Sequence, residues 1–230
     1  MRSHSVKDTG RPYVFINMVC TVDGRTTIAG KASGLGSEAD RRVMRTLRSK
    51  ADAVMIGGGT LRAEKLSLGL DAEDPRPRPI AVISTNTGDV PLARNLLRDE
   101  RQRVLVLVAA GADKSAERRL SDLAEVRHVP SASGAIELAE ALKTLKSDYN
   151  VERLLVEGGP TLVQALISSN LADELFITLA PILIGGGKPE ASAVISDPVQ
   201  KPHSLRLLSA HIARDELFLR YAIGSEHQRN

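Results

Sequence analysis

Two stretches of this chain place glycines and hydroxyls where an anion could be held. In Leu154-Leu155-Val156-Glu157-Gly158-Gly159-Pro160-Thr161-Leu162-Val163, three apolar residues end a buried strand and two glycines turn the chain. Pro160-Thr161 then opens a helical pattern through Leu162, Val163, Leu166 and Ile167. A strand that enters a helix through glycines exposes unpaired N–H groups and the positive end of a helix dipole, a ready site for phosphate. The second stretch is Val54-Met55-Ile56-Gly57-Gly58-Gly59-Thr60. It lets backbone approach a phosphate near Gly58 with Thr60 as donor, or it is a tight turn that Thr60 caps. No Gly-Lys-Ser/Thr follows it and the Gly-x-Gly-x-x-Gly spacing is missing, which argues against an NTPase and the usual dinucleotide fingerprint.

Single polar residues add to these turns. Glu157 ends its strand, where open α/β sheets bind ligands, and ligand contact is the expected role. Asn17 interrupts an apolar strand, so it braces the neighbouring backbone or lines a pocket. Asp23 reads as a turn residue. Glu64, at i+4 from Thr60, shares the helix face of Thr60 or is an exposed carboxylate. The histidines show no ligand spacing and Cys20 is the lone cysteine, so no metal site, disulfide or nucleophilic triad is expected, and no catalytic residue is assigned.

Composition narrows the partners. Aromatics make up 3% of 230 residues, with no Trp, against a stacking platform for single-stranded nucleic acid. The net charge is +3 and basic residues are spread. The densest run, 41–50, lies on a helix with Ala39, Val43 and Leu47 on one side and reads as a solvated face, so no nucleic acid partner is expected. A mild positive field suits a small anion. No apolar segment follows residues 1–7, no run nears the roughly 20 apolar residues of a membrane span, and a cytoplasmic location is expected.

The elements that must position these groups follow in order. Strands are expected near 13–19, 51–56, 79–84, 104–108, 126–129, 153–156, 173–180, 204–208 and 216–221. Helices are expected at 38–48 with Ser37 as N-cap, from about 60, near 115–124, at 133–146 and at 159–168. Near-continuous apolar strands alternating with helices give a single-domain three-layer α/β/α fold, with a mostly parallel sheet and antiparallel C-terminal strands. Gly185-Gly186-Gly187 reads as a flexible loop.

Five segments in register then carry a family resemblance. They are Thr21-Val22-Asp23-Gly24-Arg25, Gly58-Gly59-Thr60-Leu61-Arg62-Ala63-Glu64, Arg76-Pro77-Arg78-Pro79-Ile80, Val156-Glu157-Gly158-Gly159-Pro160-Thr161-Leu162 and Ala180-Pro181-Ile182-Leu183-Ile184-Gly185-Gly186. The series resembles the reductase domain of riboflavin biosynthesis, with its dihydrofolate-reductase-like fold, over residues 11–222. Residues 1–10 and 223–230 are then tails. The resemblance implies NADPH as hydride donor and a ribosylaminopyrimidine 5′-phosphate as substrate, diamino or deaminated, reduced from ribosyl to ribityl. It implies cofactor contacts at Gly58, Thr60, Glu64, Ser84, Thr85, Gly158, Gly159, Pro160, Thr161 and Leu162. It implies substrate contacts at Asn17, Ser33, Arg48, Leu68 and Glu157, with Arg48 as charge for the phosphate, and a homodimer through strands such as 176–180 and 217–221. Residues 64–71 depart from the family's Asp-Asp-Pro pattern, Asp71 falls near a substrate-binding Arg, and Leu35 replaces an aromatic. The deaminase motif His-x-Glu with Pro-Cys-x-x-Cys is absent. Two other functions fit: a dihydrofolate reductase or a reductase of another pterin-like substrate, which would need a carboxylate on a helix facing the pocket, and a non-catalytic NADP-binding regulatory module.

Overall fold

A computed structural model describes residues 10–28, 30–64, 67–71, 73–91, 96, 101–113, 115–120, 122–185, 194 and 202–224. The strands are β1 (Tyr13–Thr21), β2 (Ala53–Gly57), β3 (Ile80–Thr85), β4 (Val104–Ala109), β5 (Glu125–Val129), β6 (Ser131–Ala132), β7 (Ala135–Ile136), β8 (Arg153–Val156), β9 (Glu174–Ala180), β10 (Leu205–Ala213) and β11 (Glu216–Ile223). The helices are α1 (Glu38–Arg48), α2 (Gly58–Ala63), α3 (Ser115–Leu120), α4 (Leu138–Tyr149) and α5 (Pro160–Ser168). Nine strands form one sheet in the order β10-β11-β9-β1-β8-β2-β3-β4-β5. All pairs are parallel except β10 with β11 and β11 with β9. This is the expected parallel sheet with antiparallel C-terminal strands.

Both faces of the sheet are covered, which is why β2 and β4 read as unbroken apolar runs. Alternate side chains of β1 divide the core. Val14, Ile16 and Met18 pack with Leu142 and Leu145 of α4 and Val163 and Leu166 of α5. Phe15 packs on the other face with Leu47 of α1, Leu61 of α2 and Leu120 of α3. Each such fully buried aliphatic side chain contributes roughly 1.5–3 kcal/mol.

α1 forms where its signals place it. The Ser37 hydroxyl accepts from Ala39 N at 3.0 Å, Glu38 and Asp40 lie in the first turn, and Arg45 and Arg48 in the last. Other expectations shift. The helix expected from 133 begins at Leu138, because Ser133 (φ 50°) and Gly134 (φ 77°) make the turn of a β6–β7 hairpin. α3 stops at Leu120, short of 124. β10 runs on to Ala213. The strands proposed as dimer edges are internal: β9 lies between β1 and β11, and β11 between β9 and β10. The edge strands are β10 and β5. The boundary at 222 falls inside β11, and residues 1–9 and 225–230 lie outside the described residues.

Candidate active site

β2 and β8 are neighbours, so their glycine turns meet at the carboxyl end of the sheet. Gly57 N donates to Gly158 O at 2.9 Å and Glu157 N to Met55 O at 3.0 Å. Gly158 has φ +105°, a region that favours glycine, and the Gly158–Gly159 peptide is cis. A Cβ at Gly159 would stand 2.6 Å from Thr60 Oγ1, and one at Gly58 would stand 3.1 Å from Thr85 Cβ. Thr60 therefore packs against Gly159 and Thr85 against Gly58, on either side of the Gly57–Gly158 bond. Ser84 pairs in register with Gly57 beside it. α5 has Pro160 in its first turn and Gly159 as N-cap, with no side chain on its leading N–H groups. Thr161 is exposed, while the Leu162 side chain is buried in the core, so only the Leu162 backbone is placed for an anion.

The expected substrate residues lie on the α1 face, with corrections. Arg48 and Glu157 bind each other: Nε to Oε1 at 2.8 Å and Nη2 to Oε2 at 2.7 Å. Their side chains are 7% and 9% exposed, and Arg48 Nη1 also donates to Gly69 O at 3.1 Å. The Arg48 charge is thus matched within the protein, and the pair is a fixed polar wall rather than a free cation for phosphate and a free carboxylate for ligand. Glu64, which follows α2, reaches the 30–36 loop. Its carboxylate accepts from Ala32 N at 2.6 Å and tethers the 30–36 loop. Leu68 is 0% exposed within the core, so its side chain lines no open surface. Ser33 is exposed on the loop that Glu64 holds. Asn17 lines a cavity of about 230 Å³ with Val43, Phe176 and Thr178. Asp23 is structural: it takes Thr21 Oγ1 at 2.6 Å and Gly185 N at 2.7 Å. Gly186 and Gly187 lie outside the described residues. Asp71, near the expected Arg position, stands 3.4 Å from Arg45.

Sequence reasoning treated Asp40 only as a charge for the helix dipole. In the fold it packs inward, and its carboxyl takes the Thr178 hydroxyl of β9. Burial pushes its pKa up, the Thr178 hydrogen bond pulls it back, and the charges of Glu216 and Glu157 raise it while Arg41 lowers it. Glu216, at the start of β11, accepts from Ser37 N at 2.9 Å and Ser37 Oγ at 2.5 Å. The available signal was spacing, since Asp40, Val43 and Leu47 stand at i, i+3 and i+7 on one face. Among the described residues no group of His, Cys, Asp and Glu could hold a metal ion.

Comparison with known proteins decides the family. Residues 12–213 match the RibD C-terminal domain. The chain belongs to that family. The 2,5-diamino-6-ribosylamino-4(3H)-pyrimidinone 5′-phosphate reductase of Archaeoglobus fulgidus is 36% identical over 186 residues, 76% of this chain and 83% of that protein. The reductase of the same name from Methanothermobacter thermautotrophicus is 32% identical over 179 residues, 76% of this chain and 81% of that protein. Among solved structures, Acinetobacter baumannii RibD superposes with a TM-score of 0.79 at 25% identity over 94% of this chain. The chain spans 59% of that longer protein. This RibD C-terminal domain has the α/β fold expected of a riboflavin-biosynthesis reductase.

Proposed function

We propose that the chain is an NADPH-dependent reductase of riboflavin biosynthesis. It reduces the ribosyl group of 2,5-diamino-6-ribosylamino-4(3H)-pyrimidinone 5′-phosphate, or of its deaminated analogue, to ribityl. The observation that carries this is the uncapped α5 start against Thr60, with Thr85 against Gly58 of α2 and the buried Arg48–Glu157 pair next in the chain, in a protein 36% identical to a reductase of that name.

The residues fit the cofactor. Glycine at 58, 158 and 159 lets the backbone lie directly against Thr85, Met18 and Thr60, which keeps its N–H groups free of side-chain cover. The N–H groups of Gly159, Thr161 and Leu162 and the hydroxyls of Thr60, Ser84 and Thr85 would hold the pyrophosphate. A bound nicotinamide would supply hydride to C1′ of the ring-opened imine. The protein's part is to orient that carbon and exclude water. The Arg48–Glu157 pair fixes the substrate wall, and Asn17 offers an amide on the same face.

The reductase domain spans 11–222, extended by Ile223 of β11. The protein works in the cytoplasm, without nucleic acid or membrane partners, as a homodimer. Support for the dimer is the free β10 edge, where Leu205, Leu207 and Ile212 are exposed, Ile212 by 76%. Sedimentation showing only monomer at micromolar concentration would exclude it. Purified protein mixed with NADPH and the diamino substrate should consume nicotinamide absorbance. Absence of any loss with either pyrimidine overturns the proposed reaction.

A further inference from the structure

The α4 and α5 side of the sheet is not covered to its end. Leu175 of β9 is buried in the core on that side, and Tyr221 and Ile223 of β11 pack against it half-buried. The same face then continues across β11 and β10. Leu207 pairs with Tyr221, Leu205 with Ile223 and Ile212 with Leu217, and residues directly opposite on antiparallel strands share a face. Leu205, Leu207, Ile212 and Leu217 are 43%, 52%, 76% and 38% exposed. Single exposed apolar residues are ordinary on a monomer, but four on one face of two paired strands form a patch.

Two features show that this face is built to be apolar. The register of β10 on β11 shifts between Leu207 and Ser209. Without that bulge, strict alternation would put Ser209 and His211 beside Leu205 and Leu207 and turn Ile212 to the α1 side. With it, Ser209 and His211 line the cavity of Asn17, opposite Arg220 and Phe218, and Ile212 stays with the leucines. The charges divide in the same way. Arg206, Glu216 and Arg220 lie on the α1 side, paired with Ala222, Ala213 and Ser209. The other face of β10 and β11 carries no charged residue.

That lack of charge limits what can cover the face. A nucleic acid backbone or an anionic lipid surface would find no cation there. An identical face meets it without like-charge repulsion, and a two-fold axis lets each copy cover the other. Sheets stack in this way at about 10 Å through interdigitating side chains. Pairing through the β10 edge would instead leave Leu217, one strand further in, facing water. We propose that the uncharged face of β10 and β11 is the contact between two copies of this chain, sheet on sheet. The inference rests on the proposed homodimer and deepens it by naming the surface.

Sedimentation of the full chain carrying Leu217→Asp or Ile212→Lys tests it. Both positions are exposed in the single copy, so the fold tolerates a charge there. Each substitution enters a two-fold contact twice and puts unpaired charge into an apolar layer. Either should raise the dimer dissociation constant at least about 100-fold, while Arg206→Asp, on the opposite face of β10, should change it by no more than about 3-fold. A dimer that withstands either Leu217→Asp or Ile212→Lys overturns the inference and leaves the homodimer to the β10 edge. Equal dissociation by Arg206→Asp also overturns it. A wild type that sediments as a monomer at micromolar concentration overturns both the inference and the proposed homodimer. Leu217→Cys checks what covers the face: it should be shielded from a maleimide in the dimer and react on dilution. Shielding that persists in the monomer overturns the inference, because residues of the same chain then cover the face.

Discussion

The proposed cofactor half and the proposed substrate half of this site are built in opposite ways. Around β2, β3 and β8 the parts are backbone, glycines and small hydroxyls, with Thr85 packed against Gly58 and Thr60 against Gly159. Around α1, β9 and β11 the working parts are charged side chains, each matched to a partner far away in sequence. The first half should fail when a side chain is added. The second should fail when a partner is removed.

The largest effect expected is at the buried ion pair. Arg48→Met leaves Glu157 buried without its cation, and breaking such a pair costs about 3–5 kcal/mol. Urea unfolding should show this, and the double variant with Glu157→Gln should recover part of it. Glu157→Gln by itself should impair turnover more than NADPH affinity. Gly159→Val tests the other half. Its side chain would collide with Thr60 Oγ1 and force apart the two turns proposed to hold the pyrophosphate. NADPH affinity should fall at least about 100-fold, or roughly 2.7 kcal/mol, by fluorescence titration. If Gly159→Val binds NADPH normally while Glu157→Gln does not, the two halves are assigned the wrong way round.

Smaller effects follow. Ser37→Ala removes the cap of α1 and should cost about 1 kcal/mol in the same unfolding experiment. Asp40→Asn probes linkage. Burial holds the folded pKa of Asp40 above its unfolded value. Its stabilising effect is therefore full below the unfolded pKa and lost as pH rises through the folded one. Asn does not titrate, so the Tm of the variant relative to wild type should increase from about pH 4 to about pH 8. A constant difference would mean Asp40 is solvated. Cys20, whose thiol burial and then Asp23 push up to about 11, should resist alkylation in the native state near pH 8.

Much of the sheet was legible, because both-face burial writes continuous apolar runs and Ser37 marks the start of α1; α2 starts at Gly58 with Gly57 as its cap, two residues before the expected start near Thr60. The glycine turns could be found for the same reason, since they are local. What sequence could not show was reach. Arg48 and Glu157 lie 109 residues apart, and Glu64 and Ala32 meet across a loop. A charge looks alike whether it faces water or an unseen partner, so Glu64 was assigned to cofactor and Arg48 to phosphate. Asp40 was hidden because one acidic residue satisfies both a dipole rule and an inward face.

The order of the sheet has a bearing on synthesis. β1 and β2 are made first yet do not touch, and the strand that joins them, β8, emerges only after β5 and α4. Until residues 153–157 leave the ribosome, β1 and β2 lack the neighbour between them and Arg48 has no carboxylate. Nascent chains ending before β8 should be protease-sensitive around Arg48, and protection there should arise in one step with the capacity to bind nucleotide.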